Sequence, residues 1–252
     1  MLDVRNVDKS YGAIDVLRDV TFSVDEGAAF AVIGPNGAGK TTLFKVLTGE
    51  AFADRGEIVY RADSVARLPA WRRIGAGIGR TFQTSRVFPA FTVEQNIVVA
   101  LEARGRSSGE GRPSWLRIAP SRGVVEEAAR WAGEVGLSHR LLEEARFLSH
   151  GDKKRLELAM ALSLRPKLIM LDEPTAGMSP VERSRSVALI ARIRREFGLT
   201  LLLTEHDMDV VFDLADHILV LNYGQVIFRG PPAEIRGNAA VRDIYLGQDD
   251  DA

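Results

Sequence analysis

Cysteine is absent from the 252 residues, which excludes structural disulfides and thiolate metal sites and fits a reducing compartment. Charge of either sign is not in excess. The 33 Lys and Arg stand against 34 Asp and Glu, for a formal net charge of -1, so no global basic field draws nucleic acid. Aromatic residues make up only 7% and do not interleave with a basic patch, which argues further against nucleic acid as a partner. No uncharged apolar run approaches the roughly 20 residues that cross a bilayer, so any membrane role is expected to come through a partner. The opening MLDVRNVDKS is polar and alternating, unlike a secretory leader.

What is present has the texture of strands alternating with helices. With 46% hydrophobic and 27% charged residues, the composition suits a soluble globular chain of one large domain or two small ones. Residues 1–26 alternate, with Val20, Phe22 and Val24 on one face. AAFAVIG (28–34) predicts a buried strand feeding a loop, and TTLFKVLTG (41–49) a helix closed by Gly49. GEIVYRAD (56–63) is a further strand. From Gln83 the pattern turns helical: EQNIVVALEARGR and VVEEAARWAGEVGL flank a polar stretch at 105–114. LSHGDKKRLE (148–157) predicts a tight turn at Ser149 and Gly151 that opens a basic, amphipathic helix, a ready anion site. Apolar strands return at KLIMLDE (167–173) and LTLLLTEHD (199–207), and HILVLNYGQVIFRG (217–230) predicts a hairpin turning near 222–225. Buried strands joined by helices predict an α/β fold with a parallel sheet, here carrying a helical insert. The closing GQDDDA is expected to fray as an acidic tail.

Gly34-Pro35-Asn36-Gly37-Ala38-Gly39-Lys40-Thr41, followed by Thr42, fits G-x-x-x-x-G-K-[ST] fully. In such a loop the glycines let backbone N–H groups face a β-phosphate. The lysine reaches the β and γ oxygens, and the Thr41 hydroxyl binds Mg²⁺. LIMLDEP ends a buried strand with two carboxylates, and strand ends of a parallel sheet face such a loop. Asp172 is placed to hold Mg²⁺ through water, and Glu173 to polarise an attacking water as general base. Alone, the same tripeptide is often a helix cap. His206 ends the next apolar strand at the same edge, where it serves structure or reaches a γ-phosphate. His139, His150 and His217 lack such placement. Gln83 is either a surface polar residue or a contact to Mg²⁺ and the attacking water that reports nucleotide state to the insert. Tyr11 ends the first strand, half-buried or stacked on a base. Phe88 and Phe91 flank Pro89 in a loop, either exposed to receive a partner's helix or packed onto the sheet.

Taken in order, Tyr11, the loop at 34–41, Gln83, LSHGD, the strand at 168–173, the AGMS turn at 176–179 and His206 resemble the ATP-binding subunits of ABC (ATP-binding cassette) transporters, over nearly the whole chain. The resemblance implies a P-loop NTPase fold: a mostly parallel α/β core, an N-terminal antiparallel β region and a helical subdomain insert. Residues 1–252 then form one cassette, with the core at 1–82 and 160–230, the helical insert at 83–159 and a C-terminal helix and tail at 231–252. ATP and Mg²⁺ are the implied cofactors. Tyr11 and residues 34–42 would surround the nucleotide, and Thr41, Gln83 and Asp172 the metal. Lys40, Gln83, Glu173 and His206 would serve hydrolysis. In this family two cassettes face head to tail, so that Ser149, His150, Gly151 and Asp152 of one subunit would hold the γ-phosphate of the other's ATP. His150 stands where most cassettes have Gly. Asp152 replaces a common Gln, favourable with the helix dipole but adding negative charge near an ATP.

Within the family, LSHGDKKRLELAMALSLRPKLIMLDEPTAGMSP, RTFQTSRVFPAFTVEQNI and VRDIYLG (241–247) are similar to the ATPases of branched-chain amino acid importers. That likeness implies two transmembrane permease subunits, a second ATPase subunit (a copy or a sister) and, indirectly, a periplasmic solute-binding protein. It places the chain at the cytoplasmic face of the inner membrane. Urea or amide importers share LSHG, and lipid or lipopolysaccharide exporters are similar over the same motifs. A regulatory nucleotide binder without catalysis is argued against by Glu173.

Overall fold

Two sheets frame the chain in a computed structural model that describes residues 1–81, 86–107, 120–235 and 238. Gln83, VRDIYLG and the acidic tail lie outside the described residues. In chain order the elements are β1 (Leu2–Tyr11), β2 (Ile14–Val24), β3 (Ala29–Ile33), α1 (Lys40–Thr48), β4 (Arg55–Tyr60), β5 (Asp63–Ser64), α2 (Ala70–Gly75), β6 (Ile78–Arg80), α3 (Val93–Ser107), α4 (Arg122–Glu134), α5 (His150–Ser163), β7 (Leu168–Asp172), α6 (Pro180–Phe197), β8 (Thr200–Thr204), α7 (Met208–Leu214), β9 (His217–Asn222), β10 (Gln225–Gly230) and α8 (Pro232–Ile235). The smaller sheet has strand order β2-β1-β4-β5 and is antiparallel throughout. The larger runs β10-β9-β3-β8-β7-β6, parallel from β9 to β6, with β10 returning antiparallel at the edge.

The apolar runs became central strands because they bury both faces. On β3, Phe30 and Val32 point into the core shared with the small sheet and α1, while Ala29, Ala31 and Ile33 point into the core beneath the other helices. β7 and β8 alternate the same way: Leu168, Met170 and Leu202 face the first core, and Ile169, Leu171, Leu201 and Leu203 the second. In the small sheet Val20, Phe22 and Val24 all face inward, as their alternation predicts. Helix α1 sits between the two sheets, with Leu43, Phe44 and Val46 fully buried. Each such side chain contributes about 1.5–3 kcal/mol of burial.

Two elements escape the sequence pattern. β6 has three residues, and α2 begins directly after Pro69. Arg73 on α2 is 0% exposed. Its guanidinium donates to the carbonyls of Val46 (2.7 Å) and Leu47 (2.8 Å) near the end of α1, and to those of Leu68 (2.9 Å) and Ala66 (3.0 Å). Carbonyls in the last turn of α1 and in the segment before α2 thus satisfy a buried cation, whose pKa burial lowers to about 10.

Helix α5 also departs from expectation. It packs against α3, α4 and β6 together, so it is enclosed on most sides rather than amphipathic. Even Lys154 and Glu157 are buried, at 7% and 5% exposure. Glu127 on α4 fastens this helical layer, taking Arg104 of α3 at 3.0 Å and Arg165 beyond α5 at 3.1 Å. The Arg104 hydrogen bond is the main cause that holds the Glu127 carboxyl at about 2.

Candidate nucleotide-binding site

The loop between β3 and α1 is shaped by close approaches that only glycine allows. A Cβ on Gly34 (φ +152°) would lie 2.1 Å from the Leu221 carbonyl oxygen, and one on Gly39 (φ +105°) 2.8 Å from that of Val16. The β9–β10 turn braces the loop from behind, where the Gly224 N–H donates to the Ala38 carbonyl at 3.0 Å. At the N-cap of α1, Gly39 supplies no side-chain cap. The first N–H groups of that helix are therefore available to an anion. Lys40 is 8% exposed, and its ammonium bonds the Gly34 and Pro35 carbonyls at 2.5 and 3.1 Å. Burial lowers its pKa, opposed by the carboxylates of Glu173 and Asp172.

Those carboxylates stand at the end of β7. Asp172 Oδ1 accepts from the Thr204 hydroxyl at 2.8 Å, and Oδ2 from Arg80 of β6 at 3.0 Å. Arg80 in turn reaches Glu50 at 2.6 Å. Each Asp172 oxygen keeps acceptor capacity. Together with the Thr41 hydroxyl at the start of α1, Asp172 makes an all-oxygen donor set of the kind that suits Mg²⁺. Glu173 follows with φ +48°, a left-handed backbone unusual outside glycine. Its N–H donates to the Thr204 carbonyl and hydroxyl, both at 3.1 Å. Its Oε1 meets His206 Nε2 at 2.9 Å. Asn36, Gly37, Ala38, Gly39, Lys40, Thr41, Thr42, Glu173, His206 and Val16 line one cleft of about 250 Å³.

Ser149 and Gly151 do not line that cleft. Ser149 caps α5, its Oγ accepting from the Asp152 N–H at 3.1 Å. None of residues 149–151 has positive φ. A Cβ on Gly151 would meet only the Glu182 carboxylate, at 3.6 Å. The fold therefore does not demand glycine there. His150 Nε2 contacts the Ala176 carbonyl at 3.1 Å, in the turn after Glu173. Asp152 faces Arg140 and Arg155 at 3.6 and 3.7 Å.

The sequence matches the ABC transporter family over residues 17–176.

The chain belongs to the ABC transporter ATP-binding family. Residues 225–251 also match the family described as branched-chain amino acid ATP-binding cassette transporter. Among similar curated proteins is the high-affinity branched-chain amino acid transport ATP-binding protein BraF of Pseudomonas aeruginosa, 37% identical and covering 98% of each chain. LivG of Escherichia coli, with the same description, is 36% identical over 98% of each. The lipopolysaccharide export system ATP-binding protein LptB of Haemophilus influenzae is 32% identical over 98% of each. A solved ADP conformation of an ATP-binding cassette superposes with TM-score 0.87 at 31% identity, covering 98% of both chains.

The cassette thus gathers residues 36–42, Glu173 and His206 around one cleft, with Asp172 behind them. Tyr11 stands apart from the cleft lining, 48% exposed at the end of β1 with the Lys9 ammonium 5.3 Å from its ring. Val16 on β2 lines the cleft instead and carries no motif signal. Phe88 and Phe91 are exposed and stack at 5.3 Å between centroids. Buried Asn96 fixes their loop, accepting from the Phe88 N–H at 2.7 Å and donating to the carbonyls of Phe88, Phe91 and Thr92. Core packing therefore does not account for the two rings.

Proposed function

We propose that this ATPase powers import of branched-chain amino acids through partner permease subunits, working as a head-to-tail pair at the cytoplasmic face of the membrane. The observation that carries the hydrolytic part is the 2.9 Å contact of Glu173 with His206 in the cleft that Lys40 also lines. The solute assignment rests on the family match at 225–251 and on what BraF and LivG transport. Among the described residues no helix is long and apolar enough to cross a membrane. The path for the solute is accordingly assigned to the permease subunits.

In this reading the open N–H groups of α1 and the Lys40 ammonium bind the β and γ phosphates. Thr41 and Asp172, with Gln83 as the resemblance implies, hold Mg²⁺, which when bound offsets the charge of the phosphate oxygens. Glu173 takes a proton from the attacking water. With its proton on Nε2, His206 donates to the Glu173 carboxylate and orients it; the same N–H would serve a γ-phosphate oxygen by exchanging that partner. Ser149 caps α5 through its oxygen and keeps its O–H to donate to a phosphate of the facing subunit. Disruption of the gene should abolish uptake of labelled leucine, isoleucine and valine. Unchanged uptake with lost urea uptake, or with a lipopolysaccharide defect, would refute the solute assignment.

Two substitutions test the parts. Lys40→Ala removes the one ammonium among the residues lining the cleft, and a charged hydrogen bond is worth roughly 1.5–3 kcal/mol. ATP affinity measured by calorimetry should fall by about 10–100-fold. Phe88→Asp should leave that affinity intact, because the ring is exposed and outside the cleft. It should weaken co-purification with the permease subunits if the stacked pair seats a permease helix. Full recovery of the complex would exclude this docking role.

A further inference from the structure

Behind the Glu173–His206 contact lies an acidic side chain that the mechanism above does not use. Glu205, between β8 and His206, is 4% exposed. Its Oε1 accepts from both the backbone N–H (2.9 Å) and the hydroxyl (2.7 Å) of Thr175, and its Oε2 from the backbone N–H of His206 at 3.2 Å. Thr175, two residues beyond Glu173, is equally buried. Lys154 of α5 faces the same group. Burial is the main cause lowering the pKa of its ammonium, opposed by the carboxylates of Glu157, Asp172, Glu173 and Glu205.

A buried carboxylate is costly to desolvate, and an apolar pair of similar volume would fill the space more cheaply. The bonding pattern shows what the charge does. One carboxylate, without lining the cleft, joins the segment after Glu173 to the segment that carries His206. We propose that Glu205 and Thr175 are positioning residues for ATP hydrolysis, setting the Glu173–His206 geometry from behind. The inference rests on the reading of Glu173 and His206 as the hydrolytic pair.

Steady-state ATPase kinetics on the full chain test it. Glu205→Gln keeps the shape but turns an amide toward one of the donors. It should lower kcat by about 10–100-fold, the loss seen when outer-shell partners of metal-ligating residues are removed, with KM for ATP unchanged. Thr175→Val should act in the same direction, and Thr175→Ser, which keeps both donors, should restore turnover. In a His206→Ala background Glu205→Gln should lose most of its effect, because the two residues act as one unit. The proposal is overturned if Glu205→Gln costs the same fold in both backgrounds, if it raises KM at constant kcat, or if Thr175→Ser is no better than Thr175→Val. Should Glu205→Gln fail to fold, the Thr175 pair decides. A Glu173→Gln protein that still turns over would refute the underlying reading. A dead Glu173→Gln beside a normal Glu205→Gln refutes only this inference.

Discussion

Glu173→Gln is expected to bind ATP with undiminished affinity and to hydrolyse it about 10²–10⁴-fold more slowly, the usual worth of general-base assistance. The phosphate loop does not depend on Glu173: Gly34 and Gly39 pass close to the Leu221 and Val16 carbonyls, the Gly224 N–H bonds the Ala38 carbonyl, and Lys40 bonds its own loop carbonyls. The amide is isosteric with the carboxylate and can still meet His206 Nε2 as donor or acceptor, according to tautomer. What it loses is the basic oxygen. It also removes one of the two negative charges that offset the lowering of the Lys40 pKa by burial; the same charge would repel an incoming triphosphate, so ATP binding should hold or tighten. The paired, ATP-loaded form should therefore accumulate. Single-turnover hydrolysis and size-exclusion chromatography with ATP check both halves. Turnover near that of the unsubstituted protein would remove Glu173 from the role of base.

The parts that could be read in advance are those whose signal is local. β3, β7 and β8 were legible because both faces are buried, which writes an uninterrupted apolar run into the chain. The phosphate loop was legible because its glycines and lysine act through adjacent backbone. The absence of positive φ at His150 also agrees with what a non-glycine residue at that position suggests. What stayed hidden depends on partners far along the chain. β6 is a strand because Ile78 and Arg80 pair with Leu168 and Met170, not because IGR has strand character. Arg73 looks like a surface arginine until the carbonyls of Val46 and Leu47 come to it. Glu205 reads as one more polar residue in TEHD, and its buried bonding partner, Thr175, lies about thirty residues earlier in the turn after β7. Val16, near the start of β2, lines the cleft because its carbonyl lies against Gly39. Enclosure of α5 by α3, α4 and β6 likewise overrode a sequence that looks amphipathic.

Gly151→Asp is expected to leave the fold and ATP binding intact and to reduce ATPase activity by about 10²-fold or more. Position 151 sits in the first turn of α5 without positive φ, and a side chain there would meet only Glu182 at van der Waals distance. An acidic residue in a helix's first turn is favourable with the dipole, as Asp152 beside it already exploits. Backbone geometry therefore gives no reason for glycine; an Asp there would face the Glu182 carboxylate, but at an exposed site where solvent and salt screen the repulsion, and the open surface glycine leaves suits the close approach of a phosphate. A carboxylate there would oppose that phosphate, and facing like charges cost several kcal/mol. Because Ser149 and Gly151 lie outside the cleft of Lys40 and Glu173, the phosphate concerned should belong to a facing copy. Mixing two inactive variants decides this. A pair made of one Gly151→Asp chain and one Lys40→Ala chain contains one composite site with both defects and one with neither. Activity should therefore return on mixing, to at most about half that of the unsubstituted pair if the two sites turn over independently. If each turn served the phosphate loop of its own chain, both members would remain defective and mixing would restore nothing.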